Sequence, residues 1–266
     1  MAHTELTLST LATPADPARV VALAPGLGTA VTGTWDVAAE HLAADSYVIA
    51  VDLPGHGRSP AWDAEKTQPS IASLAQAVEA AIQAELERAG LQHLPVHFAG
   101  ISLGGALALQ LALEHAETFT SSAMICSAAK IGQQEAWADR AAAVRAGGTA
   151  QLVDGSMARW FAPGSPEANP RRVQPLFIAL TEADPESYAL LCRSLGDFDL
   201  TDRLHEVTIA LLVIAGEHDT VAPPQQAEDI GAAVTDSQVH VLSDAAHQAP
   251  TEKPAETARL LNDFFA

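Results

Sequence analysis

Gly100-Ile101-Ser102-Leu103-Gly104-Gly105 is the stretch on which the reading of this chain turns. It joins an apolar run, Val96-His97-Phe98-Ala99, to a helical stretch from Leu103 to His115. A serine set between two glycines at such a junction reads as a nucleophile elbow. The turn is tight enough for neighbouring side chains to collide, and glycines two residues either side of the serine relieve the crowding. The serine hydroxyl is then held out at the carboxyl end of a sheet, above the positive end of the following helix.

Working outward, short apolar runs alternate with amphipathic ones, the rhythm of an α/β architecture. Arg19 to Ala24 and Tyr47 to Val51 are rich in Val and Ile, end in Pro/Gly turns, and predict strands buried on both faces. Ile71, Leu74, Val78, Ile82 and Leu86 recur every three or four residues, which predicts a helix between Ser70 and Ala89 that Gly90 stops. Ser122 to Cys126 follows the elbow helix as another strand. From Ala128 to Leu204 the character changes. No run there reads as a strand, and helical segments alternate with breaks at Gly147-Gly148, Pro163-Gly164, Pro170 and Pro185. The α/β rhythm resumes with a strand at Ile209 to Ile214, a helix near Gln225 to Val234 and a strand at Gln238 to Leu242. A last helix opens with Pro254 in its first turn. The expected division is a core of residues 1–127 and 205–266, interrupted by a helical cap over 128–204.

Size and charge narrow the field. The 266 residues can bury one large core, alone or with an inserted subdomain. No apolar stretch approaches the roughly 20 residues that cross a bilayer, and Met1 to Thr13 lacks the basic and apolar regions of a signal peptide. Cys126 and Cys192 are too few for a disulfide framework or a zinc site, which points to a reducing cytoplasm. A formal charge of −19 excludes the basic surface that nucleic-acid binding needs. The charge is unevenly placed: 128–204 holds 8 basic and 10 acidic residues, the rest of the chain 6 basic and 23 acidic. A nearly neutral middle segment sits in a strongly acidic body.

A serine nucleophile needs a base within hydrogen-bond reach and an acid to orient that base. The strand Ile209 to Ile214 runs into Ala215-Gly216-Glu217-His218-Asp219, so Asp219 lies in a loop at a strand's carboxyl end. Beyond the last strand, Ser243-Asp244-Ala245-Ala246-His247 forms another such loop. The chain order Ser102, Asp219, His247 is the one expected of α/β-hydrolase triads. Other polar residues read as structural. His218 is a turn residue, Asp244 shapes its loop by side-chain capping, and His56 sits in the turn Leu53-Pro54-Gly55-His56-Gly57-Arg58-Ser59. His93 and His97 are four apart, but Pro95 breaks any shared helical face, and no HExxH-type cluster exists, so no metal is expected. A tetrahedral oxyanion needs two N–H donors. The backbone of Leu103, directly after the nucleophile, is one, and Leu27 in Pro25-Gly26-Leu27-Gly28-Thr29 is the other. A dinucleotide site is excluded because Gly26, Gly28 and Gly33 miss the GxGxxG spacing.

With the Leu53 to Ser59 turn, the serine elbow, Asp219 and His247 in place, the chain resembles the α/β-hydrolase family along its whole length. More specific are Cys126-Ser127-Ala128-Ala129-Lys130-Ile131-Gly132, Trp137, Arg140, Val144-Arg145-Ala146-Gly147-Gly148 and Met157-Ala158-Arg159-Trp160-Phe161. Together they are similar to 3-oxoadipate enol-lactonases of bacterial aromatic catabolism. The resemblance implies an α/β-hydrolase fold, a mostly parallel doubly wound sheet with a helical cap inserted. It also implies Ser102, Asp219 and His247 as the triad and no cofactor. Two loops depart from the lactonase pattern. Ala24-Pro25-Gly26-Leu27-Gly28 replaces a Ser/Asn-rich stretch, and Gln248-Ala249-Pro250-Thr251-Glu252 replaces a Leu-Ser-Asn-like run.

The implied partner is a small anionic lactone, which an acidic body would repel unless a local cation holds its carboxylate. Lys130, Arg140, Arg145 and Arg159 are available in the cap, and Arg140 and Arg159 are the expected carboxylate ligands, beside Trp137 and Trp160. The competing reading has these arginines solvated or paired with Asp139 and Asp154, and the tryptophans packing the seam between cap and core. The same three residues would serve a general carboxylesterase or another lactonase, a cofactor-free haloperoxidase or perhydrolase, or a carbon–carbon bond hydrolase. An intact set argues against a non-catalytic receptor, and serine at 102 against a dehalogenase. The oligomeric state stays open.

Overall fold

In a computed structural model, described over residues 4–266, seven strands form one sheet in the order β1-β3-β2-β4-β5-β6-β7. They are β1 (Leu8–Ala12), β2 (Arg19–Ala24), β3 (Ser46–Val51), β4 (Val96–Ile101), β5 (Ser121–Ile125), β6 (Ala210–Gly216) and β7 (Ser237–Leu242). All neighbours pair in parallel except β1, which runs antiparallel to β3 at one edge. The central strands are buried on both faces, as their continuous apolar runs require. In β2, Val20 and Ala22 enter one hydrophobic cluster while Val21 and Leu23 enter the other, following the period of two.

No strand was expected before Arg19, and β1 is the correction. Its sequence, Leu8-Ser9-Thr10-Leu11-Ala12, buries Ser9 and leaves the rest partly or fully exposed. Such an edge element takes its order from the β3 ladder rather than from its own apolar content.

Two helices confirm their sequence signals. Ile71–Ala89 is opened by Ser70, whose hydroxyl accepts from the Ser73 N–H in a capping box, and is closed by Gly90 at φ 72°. Leu103–Glu114 buries every residue from Leu103 to Ala112. A helix apolar all round belongs in the centre of the layered core, and this one carries the elbow serine there. Between β5 and β6 the described residues form helices only: Gln134–Gly147, Val153–Trp160, Ser165–Ala168, Pro170–Glu182 and Pro185–Gly196, with 3-10 turns at Ala150–Leu152 and Thr201–Glu206. No helix among the described residues is long and apolar enough to cross a membrane.

Candidate active site

Ser102 occupies a backbone conformation (φ 55°, ψ −114°) that side-chain-bearing residues rarely adopt. Three features hold it there. Its N–H donates to Ile125 O at 2.9 Å, Ser127 Oγ donates to Ser102 O at 2.8 Å, and the flanking backbone closes tightly. A Cβ at Gly100 would lie 2.0 Å from Gly104 O, so no larger residue fits. The strain is local and is held by the packed strand and helix on either side.

Across the carboxyl ends of the strands, three side chains meet in a line. Ser102 Oγ donates to His247 Nε2 at 3.0 Å, and His247 Nδ1 donates to Asp219 Oδ2 at 2.8 Å. Asp219 Oδ1 accepts the N–H groups of Val221 and Ala222 at 2.8 and 3.0 Å, which fixes the carboxylate. All three residues are buried, Ser102 the least at 9% exposed. Asp219 sits just beyond β6 and His247 beyond β7, so sheet topology brings together residues 145 positions apart.

The loop after β2 passes directly over the serine. A Cβ at Gly26 would lie 3.2 Å from Ser102 Cβ. Within that loop the Thr29 N–H and Oγ1 both donate to Gly26 O, and the Gly28 N–H donates to His56 Nε2 at 3.1 Å. The Leu27 N–H has no acceptor among the described residues. The Leu103 N–H opens its helix, where no intrahelical acceptor exists. Two unspent donors thus flank the nucleophile. His56 does more than form its turn. Its Nδ1 donates to Pro54 O at 2.8 Å while Nε2 accepts from Gly28, so a buried imidazole braces the loop. Burial pushes its pKa below the ordinary value, keeping the neutral form that this pair of bonds requires.

Ser102 and His247 open onto a cavity of about 300 Å³ lined also by Leu27, Trp137, Arg140, Arg159, Trp160 and Gln248, with Ile131, Gln133, Thr220 and Val221 at its sides. The four cations of the helical segment between β5 and β6 singled out above divide into two pairs. Lys130 is bonded to Asp199 at 2.9 Å and Arg145 to Glu186 at 2.7 Å, both away from the cavity wall. Arg140 and Arg159 line the wall, and neither is paired with Asp139, Asp154 or any other carboxylate among the described residues. Arg140 lies 5.5 Å over the Trp137 ring, with Nη1 3.5 Å from the Tyr188 hydroxyl. Burial raises that phenol to about 12, so it stays neutral and does not offset the guanidinium charge. Burial, and then repulsion from Arg140, lower the pKa of Arg159. The tryptophans both pack and line: Trp137 Nε1 donates to Ile131 O, and Trp160 stacks on Phe177 at 5.6 Å.

The remaining flagged residues lie elsewhere. His218 is a half-exposed turn residue whose N–H donates to Ala245 O. Asp244 shapes its loop differently from expectation. Its side chain caps no N–H among the described residues; the residue adopts φ 52° and its N–H donates to Glu217 Oε2 at 3.0 Å. His97 is buried against Phe265, with Nδ1 2.8 Å from Ser121 Oγ, and His93 is exposed. The departing loop Gln248 to Glu252 contributes Gln248 to the cavity, and sequence reasoning missed Tyr188 as a neighbour of Arg140.

The sheet order, the strained serine and the hydrogen-bonded line define the class. The chain belongs to the alpha/beta hydrolase family, whose model matches residues 21–260. It is 31% identical over 233 residues to 3-oxoadipate enol-lactonase 1 of Acinetobacter baylyi, covering 87% of this chain and 83% of that protein. The enol-lactonase from Burkholderia xenovorans LB400 superposes with a TM-score of 0.86 at 26% identity, over 98% of this chain and 96% of the other. A pimeloyl-[acyl-carrier protein] methyl ester esterase of Vibrio atlanticus is 27% identical over 227 residues, covering 80% and 81% of the two chains. The protein is a hydrolase that resembles the enol-lactonases.

Proposed function

We propose that the protein opens a carboxylate-bearing enol-lactone, 3-oxoadipate enol-lactone being the candidate its relatives suggest, through a covalent acyl-enzyme. The observation that carries the proposal is the pairing of two features in one cavity. Ser102 and His247, with Asp219 hydrogen-bonded behind them, form its floor, and two uncompensated guanidiniums, Arg140 and Arg159, form its wall. A neutral ester has no use for two uncompensated positive charges beside it; an anionic lactone does.

His247 Nε2 takes the Ser102 proton as Oγ attacks the lactone carbonyl carbon. The oxyanion is held by the N–H groups of Leu27 and Leu103. Collapse breaks the ring C–O bond and releases an enolate oxygen, a better leaving group than an alkoxide, which takes the proton back from His247 Nε2 and ketonises, leaving the imidazole neutral again. Water, deprotonated by His247, then cleaves the ester to Ser102 and frees a dicarboxylate. Asp219 holds the imidazole tautomer throughout. In this reading residues 128–204 act as a cap that supplies the anion-binding wall, and no cofactor takes part.

Ultraviolet-monitored hydrolysis of 3-oxoadipate enol-lactone, beside a neutral lactone and an aryl acetate, tests the proposal. Preference for the anionic lactone, abolished in Ser102→Ala, is the expected result. Preference for the neutral substrates would move the assignment to a general esterase or another lactonase.

A further inference from the structure

An N–H group stabilises an oxyanion only when it points at it, and a backbone donor is aimed by its own peptide plane. In a trans peptide the C=O and the N–H point in opposite directions. The Leu27 N–H therefore points away from whatever binds Gly26 O, the carbonyl of the same peptide. That partner is Thr29. Its N–H donates to Gly26 O at 3.1 Å and its Oγ1 at 2.9 Å.

Thr29 lies on the far side of the loop from the reaction. It is fully buried and forms no part of the cavity wall, whereas Gly26 and Leu27 line the cavity together with Ser102. Gly26 O is thus turned to the buried side and the Leu27 N–H to the cavity side. A Cβ at Gly26 would lie 3.2 Å from Ser102 Cβ, so this peptide passes over the nucleophile at contact distance. The next peptide is pinned as well. Gly28 has the positive φ, 80°, that the third residue of a type II turn requires, and its N–H donates to His56 Nε2 at 3.1 Å. A carbonyl only accepts, so the Thr29 hydroxyl commits its proton to Gly26 O. Hydrogen bonds to a peptide oxygen also polarise the N–H of that peptide and strengthen it as a donor.

We propose that Thr29 is a positioning residue of the oxyanion site, its hydroxyl holding Gly26 O on the buried side so that the Leu27 N–H of the same peptide is aimed at the tetrahedral oxyanion on Ser102. The inference rests on the oxyanion role of Leu27 proposed above, though not on the identity of the lactone.

The experiment compares the parent enzyme with Thr29→Val, which keeps the shape and the turn N–H without the hydroxyl, and Thr29→Ser, which keeps the hydroxyl. On 4-nitrophenyl acetate, Thr29→Val should lose about 5–30-fold in kcat/KM, less than the roughly 10²–10³ of losing a donor outright, because the Thr29 N–H still holds Gly26 O. Trifluoroacetophenone supplies the readout that separates aim from shape. Ser102 Oγ adds to its carbonyl carbon as the hydroxyl proton passes to His247, which leaves a tetrahedral oxyanion in the site. Its Ki should rise by the same factor as kcat/KM falls. Acetophenone has nearly the same shape and stays a ketone, so its Ki should remain within about twofold of the parent's. Thr29→Ser should return kcat/KM and the trifluoroketone Ki to within about threefold. An unchanged kcat/KM in Thr29→Val would overturn the inference. So would a parallel weakening of acetophenone, which would mean that Thr29 only shapes the cavity, or a serine variant as impaired as the valine one. Should the valine variant fail to melt cooperatively, Thr29→Ala removes the same hydroxyl and is read in its place. A parent that hydrolyses the acetate but not the anionic lactone refutes the substrate reading and leaves this one standing. Should the parent accept only the lactone, the same ratios are read on the lactone. A parent that turns over neither refutes both.

Discussion

The floor and the wall of the cavity are built on opposite principles. On the floor, Ser102, His247 and Asp219 spend their side-chain hydrogen bonds on one another and on the N–H groups of Val221 and Ala222. On the wall, Arg140 and Arg159 face the same space with their charges uncompensated, while Lys130 and Arg145 in the same helical segment are paired. A saturated network keeps reacting groups in register. An unsaturated one holds affinity in reserve for a ligand. The difference separates what performs the chemistry from what selects the substrate, and it can be attacked from either side.

Removing the nucleophile should give the largest effect. Ser102→Ala is expected to lower kcat by about 10⁴-fold or more on any ester or lactone, while leaving the wall able to bind an anionic product. Steady-state assays with equilibrium binding of a dicarboxylate check both halves. Next comes the elbow itself. Gly100→Ala places a Cβ 2.0 Å from Gly104 O, and should cost about 4 kcal/mol or more, read as loss of soluble protein or a steep fall in Tm.

On the wall, Arg140→Ala and Arg159→Ala should each raise KM for the anionic lactone by about 10–100-fold, with a neutral aryl ester within about threefold. Equal losses on both substrates would erase the distinction between floor and wall. Lys130→Ala and Arg145→Ala act as controls. Breaking their exposed pairs should cost under about 1 kcal/mol and leave KM unchanged.

The smallest expected effect is on stability against pH. Burial lowers His97 to about 4, and burial also lowers His56, so the unfolded chain binds protons that the folded one refuses. Stability is therefore full above the ordinary histidine pKa near 6.5 and is lost as pH falls toward 4. Tm should drop over that window, and His97→Asn should flatten the slope by roughly a few degrees.

Much of this was legible along the chain. The elbow glycines, the buried strands and the Ile71–Ala89 helix each carry a local signal, because crowding at a turn and burial of a face depend on residues close in sequence. Strand β1 carries none, since its pairing comes from β3. The pairing state of the cations in the helical segment between β5 and β6 was equally silent. Arg140 and Arg145 lie five residues apart on the same helix, yet Glu186 arrives beside Arg145 alone.

The sequence by itself determined the α/β architecture, the strained serine and the order of the three residues that meet there. Turn sterics and alternating burial are short-range, and strand ends in a parallel sheet all deliver their loops to one edge. Tertiary structure alone decided which guanidiniums remain uncompensated, that His56 braces the Leu27 loop, and that Gln248 lies buried beside the cavity that holds Ser102. Those properties depend on what elements distant in the chain place opposite each group, and desolvation and pairing are set by that neighbour.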